Sequence, residues 1–174
     1  MERTVSSKLL HRGKHIVFKT DEVELPGGRH TTRDIVEHPG AVAIVPILDD
    51  GRVVLVRQYR YAVGKELLEI PAGTLEEGEA PDTCARRELR EETGYNAGSM
   101  VRLTGFYTAP GYSSEVIHIY VATLLRKGEQ RAEEDERIAV ETFGLDELLR
   151  MIEDNLIEDG KTVAGVLSYL TRGG

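Results

Sequence analysis

The residues that could carry chemistry are concentrated between positions 73 and 94, where glutamates and arginines are frequent. On a helix with about 100° per residue, Glu88, Glu91 and Glu92 present three carboxylates on one face. Like charges at this spacing destabilise a helix, so the pattern indicates either a bound cation or a solvated face linked to neighbouring arginines. Carboxylate oxygens are the ligands that Mg²⁺ and Mn²⁺ prefer, and bound Mg²⁺ usually also contacts substrate phosphates. The first interpretation therefore predicts a phosphate-bearing substrate.

A short helix must position these carboxylates. It begins at Pro81, which suits a first helical turn, and ends before Gly94, which suits a helix C-terminus. The run at 41–48 is apolar, as expected of a strand buried on both faces, and an Asp-Gly turn predicts that 53–59 pairs back onto it. The other predicted elements are strands 67–71, 100–107 and 115–125 and helices 145–152 and 162–170, and together these elements indicate a mixed α/β fold.

The first 39 residues form a separate, strand-rich segment. Alternating apolar and polar residues predict strands at 5–10, 15–25 and 29–37, and the run at 38–40 then ends the pattern. We therefore divide the chain into an N-terminal β appendage, 1–39, and a main domain, 40–174. So short a segment cannot bury its apolar positions in a core of its own. We expect it to pack on a second copy of the chain, which predicts a homodimer.

Composition narrows the class of function. The chain has 174 residues and a formal net charge of -8, which argues against binding to nucleic acid or to anionic membranes. No run approaches the roughly 20 apolar residues of a membrane span, and the first residues lack the apolar centre of a signal peptide. The single cysteine, Cys84, excludes an intramolecular disulfide. We expect a cytoplasmic protein with a small-molecule ligand and without nucleic-acid or membrane partners.

The spacing of the charged residues also matches a known signature. The segment 73–95 resembles, without a gap, the signature box of the Nudix hydrolases. Its order is Gly73, five residues, Glu79, seven residues and then the run 87–95. Tyr95 is a mild departure, because the family more often has an aliphatic residue at that position. The resemblance implies an α/β/α sandwich with a mixed sheet, and hydrolysis of a nucleoside diphosphate linked to another moiety.

The same resemblance implies a metal site with Mg²⁺, or Mn²⁺ in its place. Carried over residue by residue, Glu88, Glu92 and the backbone carbonyl of Ala72 would bind the metal. Glu91 would be a further ligand or would position the attacking water. Arg87 would orient the carboxylates of the box.

Other parts of the chain resemble the ADP-ribose pyrophosphatases within this family. The likeness rests on 56–60, 69–73 and 107–115, and in the last of these Pro110 follows the box glycine by 16 residues. It implies cleavage of ADP-ribose to AMP and ribose 5-phosphate. Another nucleoside diphosphate derivative, such as a nucleotide sugar or a dinucleotide, is the alternative substrate, and a non-catalytic nucleotide-binding module is the alternative function.

The likeness to this subfamily also implies substrate contacts. Arg33 and Arg60 would contact the diphosphate or the terminal ribose, and Glu115 would contact a ribose hydroxyl or the adenine. Pro110, a distinguishing mark of the subfamily, would be a further substrate-binding residue. A glutamate from the acidic loop 133–136 would approach the metals, and Glu134 is our choice ahead of its neighbours. Taken alone, each of these charged residues could equally be part of a solvated surface.

Overall fold

The computed structural model of the protein describes residues 1–130 and 137–172. These residues form ten strands and three helices. In chain order they are β1 (Arg3–Arg12), β2 (Val17–Glu24), β3 (His30–Glu37), β4 (Ala41–Pro46), β5 (Val53–Arg60), β6 (Lys65–Glu69), β7 (Ala72–Thr74), α1 (Pro81–Thr93), β8 (Tyr95–Tyr107), β9 (Val116–Lys127), β10 (Ile138–Phe143), α2 (Leu145–Glu153) and α3 (Gly160–Thr171). The chain divides into two compact units, one with Met1–Gly40 and Phe106–Ile117, the other with Ala41–Gly105 and His118–Gly174.

The first unit contains an antiparallel sheet in the order β1-β2-β3. The three strands predicted for this segment are confirmed. The register of β1 on β2 shifts between Thr4 and Ser6 and again between Leu9 and His11. Such irregularities bend a strand and increase its twist, which limits uncontrolled pairing along a sheet edge.

Strand β1 is exposed along its whole length, although it carries large apolar side chains. Val5, Leu9 and Leu10 are exposed, and Leu9 retains 55% of its accessible surface. Neighbouring apolar side chains left in water are a liability for a folded protein unless a partner covers them. This exposure supports the expectation that the segment packs on a second copy of the chain, which stays a prediction.

The second unit contains two sheets, one in the order β7-β4-β9-β8 and the other in the order β10-β5-β6. Strand β4 is buried at every position, as its continuous apolar sequence predicts. Strand β7 pairs with β4 in antiparallel register, so that Ala72 lies opposite Ala43 and Gly73 opposite Val42. This pairing fixes the backbone at Gly73, the first residue of the box.

The expected pairing of β5 with β4 is wrong. The turn between them does form, since Leu48 N donates to Arg52 O at 2.9 Å, but among the described residues the two strands share only the bridge of Ile47 with Val53. Strand β5 is instead the central strand of the second sheet, between β10 and β6. An Asp-Gly turn specifies a local reversal, whereas the apolar residues of β5, which are buried, allow it to be central in another sheet.

Helix α1 lies where the sequence predicts it, and α2 and α3 match their predicted spans to within two residues. One side of α1 is buried in an apolar cluster, in which Cys84, Ala85 and Leu89 join Val42 and Ile44 of β4. The two short strands β7 and β10 were not predicted. No helix in the described part of the chain is long and apolar enough to cross a membrane.

We predict that the exposed apolar side chains of β1 stabilise a homodimer. Leu9→Asp places a charge where an apolar contact is expected, so it should shift the protein from dimer toward monomer at micromolar concentration in sedimentation velocity. Leu156→Asp is the matched control, because Leu156 is also an exposed leucine but lies in the other unit. A wild-type protein that sediments as a monomer would contradict the prediction.

Candidate active site

The site is built on α1, whose ends are defined by local backbone chemistry. Pro81 occupies the start of the helix, where a missing N–H is tolerated. At the other end Gly94 has a φ of 75° and donates to Arg90 O at 2.8 Å. A Cβ atom on Gly94 would also lie 2.9 Å from the backbone nitrogen of Gln130. Both the left-handed conformation and the close backbone approach therefore require glycine.

Glu92 connects the helix to β7. Its side chain belongs to the buried side of α1, where the residue retains 4% of its accessible surface. The carboxylate accepts a hydrogen bond from the Ala72 backbone N–H at 3.0 Å. A buried carboxylate is costly unless hydrogen bonds or opposite charge compensate it, and the bond from Ala72 N–H is one such contribution.

Glu88 lies against Gly73 of the same strand. A Cβ atom on Gly73 would fall 1.9 Å from the Cδ and Oε1 atoms of Glu88, so only glycine leaves room for this carboxylate. The structure therefore brings the carboxylates of Glu88 and Glu92 against two consecutive residues of one strand. This close packing explains why the box begins with a glycine fifteen positions before Glu88.

Arg87 is hydrogen-bonded to three carboxylates. Its Nε and Nη2 atoms donate to both oxygens of Glu79, at 3.0 and 2.9 Å. Its Nη1 atom donates to Glu88 Oε1 at 2.7 Å and to Glu91 Oε2 at 3.1 Å. The expected orienting role of Arg87 is consistent with this geometry, since one guanidinium fixes the rotamers of both helix carboxylates.

These contacts shift the ionisation of the group. The hydrogen bonds from Arg87 lower the pKa of the Glu79 carboxyl from its ordinary value of 4.5 to about 2. The hydrogen bonds that Arg87 donates to Glu79, followed by the charge of Glu88, raise the pKa of Arg87. Burial raises the pKa of the Cys84 thiol to about 12, so this thiol is protonated at neutral pH and unsuited to nucleophilic catalysis.

The carboxylates of this group suit a hard divalent cation. Three glutamates, Glu79, Glu88 and Glu91, share the guanidinium of Arg87, Glu92 lies on the same helix, and oxygen donors of this kind are the ones that Mg²⁺ and Mn²⁺ prefer. Within residues 1–130 and 137–172, no three acidic, histidine or cysteine side chains converge on one metal position as arranged. In this arrangement Arg87 bonds to two of the three carboxylates on the helix.

Arg60 lies at the end of β5 and is held by a buried partner. Its Nε and Nη2 atoms donate to the two oxygens of Glu69, at 2.8 and 2.7 Å, and Lys161 donates to the same carboxylate. Sequence reasoning singled out Arg60 but missed Glu69 and Lys161 as a group. Lys161 lies 92 residues after Glu69, and no local spacing connects the two positions.

The remaining predicted substrate residues belong to the first unit. Arg33 is exposed and donates to Glu2, at 2.7 Å from Nη2. Glu115 accepts from Thr108 Oγ1 at 2.7 Å and lies 3.7 Å from His38 Nε2. Pro110 is exposed in a turn that Ser113 N closes on Ala109 O at 2.8 Å.

The residue chosen from the acidic loop, Glu134, and its alternatives Glu133 and Glu136 lie outside the described residues. Their predicted role in catalysis therefore stays a prediction.

The bond between Glu79 and Arg87 predicts a pH-dependent stability. Because the folded-state pKa of Glu79 is lowered from 4.5 to about 2, the ionised carboxylate stabilises the fold above pH 4.5, and this stabilisation disappears as the pH falls toward 2. Glu79→Gln should lower the free energy of unfolding by about 2 kcal/mol at neutral pH, measured by urea denaturation. The difference from wild type should shrink between pH 4.5 and 2.

Glu158→Gln is the control for this measurement, because it removes only an exposed ion pair with Lys65 and should change stability little. A difference between Glu79→Gln and wild type that stays constant with pH would refute the electrostatic account.

Comparison with known proteins agrees with this geometry. The NUDIX domain family model matches residues 37–164. The chain is 40% identical over 171 residues to the ADP-ribose pyrophosphatase of Bacillus subtilis (strain 168), covering 97% of this chain and 92% of the relative. It is 44% identical over 167 residues to the methanol dehydrogenase activator of Bacillus methanolicus, covering 95% of this chain and 90% of the relative.

A solved structure described as an ADP compounds hydrolase superimposes with a TM-score of 0.86, at 24% sequence identity, over 98% of this chain and 92% of that one. This likeness confirms the predicted mixed α/β fold of the Nudix type. With a family match that includes the whole of the box, from Gly73 to Tyr95, the chain belongs to the Nudix family and is a Nudix hydrolase.

Proposed function

We propose that this Nudix hydrolase cleaves the diphosphate of ADP-ribose to give AMP and ribose 5-phosphate. The observation that carries the proposal is the placement of Glu88 and Glu92 against Gly73 and Ala72, beside a guanidinium that orders the remaining carboxylate. The similarity to an ADP-ribose pyrophosphatase over nearly the whole chain supports the choice of substrate.

The proposal includes a divalent cation, Mg²⁺ with Mn²⁺ as the alternative. The carbonyl of Ala72 and the carboxylates of Glu88, Glu91 and Glu92 are the groups that would hold it. When bound, such a cation neutralises diphosphate charge and lowers the pKa of a coordinated water.

The protein's own side chains then have distinct tasks. Arg87 keeps the carboxylates of Glu88 and Glu91 in fixed rotamers, and its bond to Glu79 prevents it from moving away. Arg60 supplies a forked donor that fits phosphate oxygens. For Arg33 and Glu115 we retain the substrate contacts expected from the subfamily. Little covalent participation by the protein is required, because positioning and charge stabilisation dominate reactions of phosphate esters.

A substrate panel tests the proposal. The protein is incubated with Mg²⁺ and ADP-ribose, with a nucleotide sugar or with a dinucleotide, and the phosphomonoester products are quantified by chromatography. We expect the highest kcat/KM for ADP-ribose, with AMP and ribose 5-phosphate in equal amounts. A higher kcat/KM for the nucleotide sugar or the dinucleotide would change the proposed substrate, while the proposed reaction, hydrolysis of a diphosphate, would stand. Binding without any product would favour the non-catalytic nucleotide-binding alternative.

Glu92→Gln tests the metal-binding role. The amide can still accept from Ala72 N–H but carries no charge, so we expect kcat for the preferred substrate to fall by at least about 100-fold at saturating Mg²⁺. The free energy of unfolding should stay the same or rise, because like-charge repulsion on α1 decreases. Glu141→Gln is a suitable control, since Glu141 pairs with Arg57 on the second sheet. A near wild-type kcat for Glu92→Gln would contradict the assignment of Glu92 as a metal ligand.

Glu134→Gln tests the acidic loop. A glutamate that positions or deprotonates the attacking water typically contributes about 10² to 10⁴ in rate, so kcat should fall far more than KM rises. Glu133→Gln and Glu136→Gln are internal controls and should be much milder. Small and equal effects at all three positions would mean a solvated loop, and a large effect at one of the controls alone would shift the assignment to that residue.

A further inference from the structure

A buried carboxylate shared by two cations lies next to the residues that begin the box. Glu69 ends β6 and retains 1% of its accessible surface. Its Oε1 atom accepts from Arg60 Nε, while its Oε2 atom accepts from both Arg60 Nη2 and Lys161 Nζ. Burial opposes the ionisation of Glu69, but the hydrogen bonds and charges of Arg60 and Lys161 outweigh it and lower its pKa. Glu69 is therefore a charged group that depends on both partners.

Lys161 is itself fixed by the first turn of α3. Its Nζ atom donates to Asp159 Oδ1 at 3.0 Å, and the other oxygen of Asp159 accepts from Thr162 N at 3.0 Å. The hydroxyl of Thr162 accepts from the backbone N–H of Ile70 at 2.8 Å. The turn that holds Lys161 thus also holds the backbone between Glu69 and Ala72.

Charge explains why two cations share one carboxylate. If Glu69 were paired with Arg60 alone, it would cancel the charge of Arg60 and weaken the attraction of that guanidinium for a phosphate. Lys161 offsets the charge of Glu69. Asp159 in turn offsets Lys161, but its carboxylate also interacts with the N-terminus of α3, where the helix contributes partial positive charge. The four formal charges sum to zero, so the partial positive charge of the helix N-terminus tips the balance, and the charge of Glu69 is divided between two cations instead of resting on Arg60 alone.

The orientation of Arg60 fits this role. Its Nε and Nη2 atoms face Glu69, so Nη1 lies on the opposite edge of the guanidinium, and 38% of the side chain is exposed. The hydrogen bonds that Arg60 donates to Glu69 raise the pKa of Arg60, and the negative charge of Glu92 adds to this shift. Arg60 therefore lies within electrostatic range of a carboxylate assigned to the metal site, where a bound diphosphate would have to lie.

We propose that Lys161 is a positioning residue that acts through Glu69, fixing the guanidinium of Arg60 and preserving its charge for the substrate diphosphate. The identity of the anion rests on the proposed function. Lys161 makes no contact with substrate in this scheme. Its effect should consequently exist only while Arg60 is present.

A double-mutant cycle tests the proposal. Lys161→Gln, Arg60→Met and the double variant are compared for kcat and KM with ADP-ribose, and for the dissociation constant of ADP by calorimetry at fixed Mg²⁺. Gln keeps a hydrogen-bond donor for Glu69 but removes the charge. We expect Lys161→Gln to raise KM and the ADP dissociation constant about tenfold with kcat nearly unchanged, and to have no further effect in the Arg60→Met background.

Two further variants separate positioning from stability. Lys161→Arg keeps a cation against Glu69 and should restore most of the ADP affinity. Lys65→Met removes an exposed lysine that pairs with Glu158 and should leave KM and ADP affinity at wild-type values. If Lys161→Gln does not fold, Lys161→Arg alone tests the proposal. An ADP affinity of Lys161→Arg as low as that of Arg60→Met, although the positive charge is retained, would overturn it.

Other outcomes are equally decisive. An equal loss of ADP affinity from Lys161→Gln with and without Arg60 would mean that Lys161 contacts the substrate directly, which overturns the proposal. Reduced thermal stability with unchanged ADP affinity would mean a purely structural role and would also overturn it. If the wild type cleaves no member of the substrate panel, the proposed function fails, while the ADP dissociation constants still decide the role of Lys161. A wild-type protein that does not bind ADP would refute the proposed role of Lys161.

Discussion

The structure around the site depends on the repulsion between carboxylates on α1. Glu88, Glu91 and Glu92 occupy one side of a helix of 13 residues, and their mutual repulsion acts against that helix. The opposing forces come from elsewhere in the fold. Cys84, Ala85 and Leu89 pack in the apolar cluster around β4, the buried Glu92 accepts from Ala72 N–H, and Arg87 bonds to Glu88, Glu91 and Glu79. The helix is stable because its packing, rather than its own surface, favours it.

The short strand β7 is the second element on which the site depends. Glu92 accepts from the first backbone N–H of β7, and Glu88 packs on its glycine. Both carboxylates are therefore positioned by backbone atoms, which do not move with a change of side-chain rotamer. The chain just before β7 is fixed from another direction, where Thr162 accepts from Ile70 N–H and Lys161 bonds to Glu69. The segment between Glu69 and Gly73 is therefore held by α1 and by α3 together.

Sequence reasoning identified the elements with strong local signals and missed those that depend on distant contacts. Pro81 and Gly94 defined α1 because the conformations at both helix ends restrict residue type. The continuous apolar run of β4 was sufficient to identify a buried strand. The turn at Gly51 did not reveal that β5 joins another sheet, because a turn carries no information on the partner that a strand meets later. The three residues of β7 are too few for a periodicity, and the contact of Lys161 with Glu69 joins distant parts of the sequence.

The two arginines of the site have opposite electrostatic roles, and their partners determine which role each has. Arg87 is surrounded by carboxylates and has its donors divided among Glu79, Glu88 and Glu91, so the negative charge around it exceeds its own. Arg60 pairs with Glu69, Glu69 is also paired with Lys161, and Lys161 pairs in turn with Asp159. The first arrangement has an excess of negative charge, which suits a dication, whereas in the second the charge of Glu69 is shared by two cations and Nη1 of Arg60 is directed away from Glu69, which suits an anion. A substrate that carries a diphosphate together with a divalent cation is complementary to both, and a ligand that lacks either charge would satisfy only one of them.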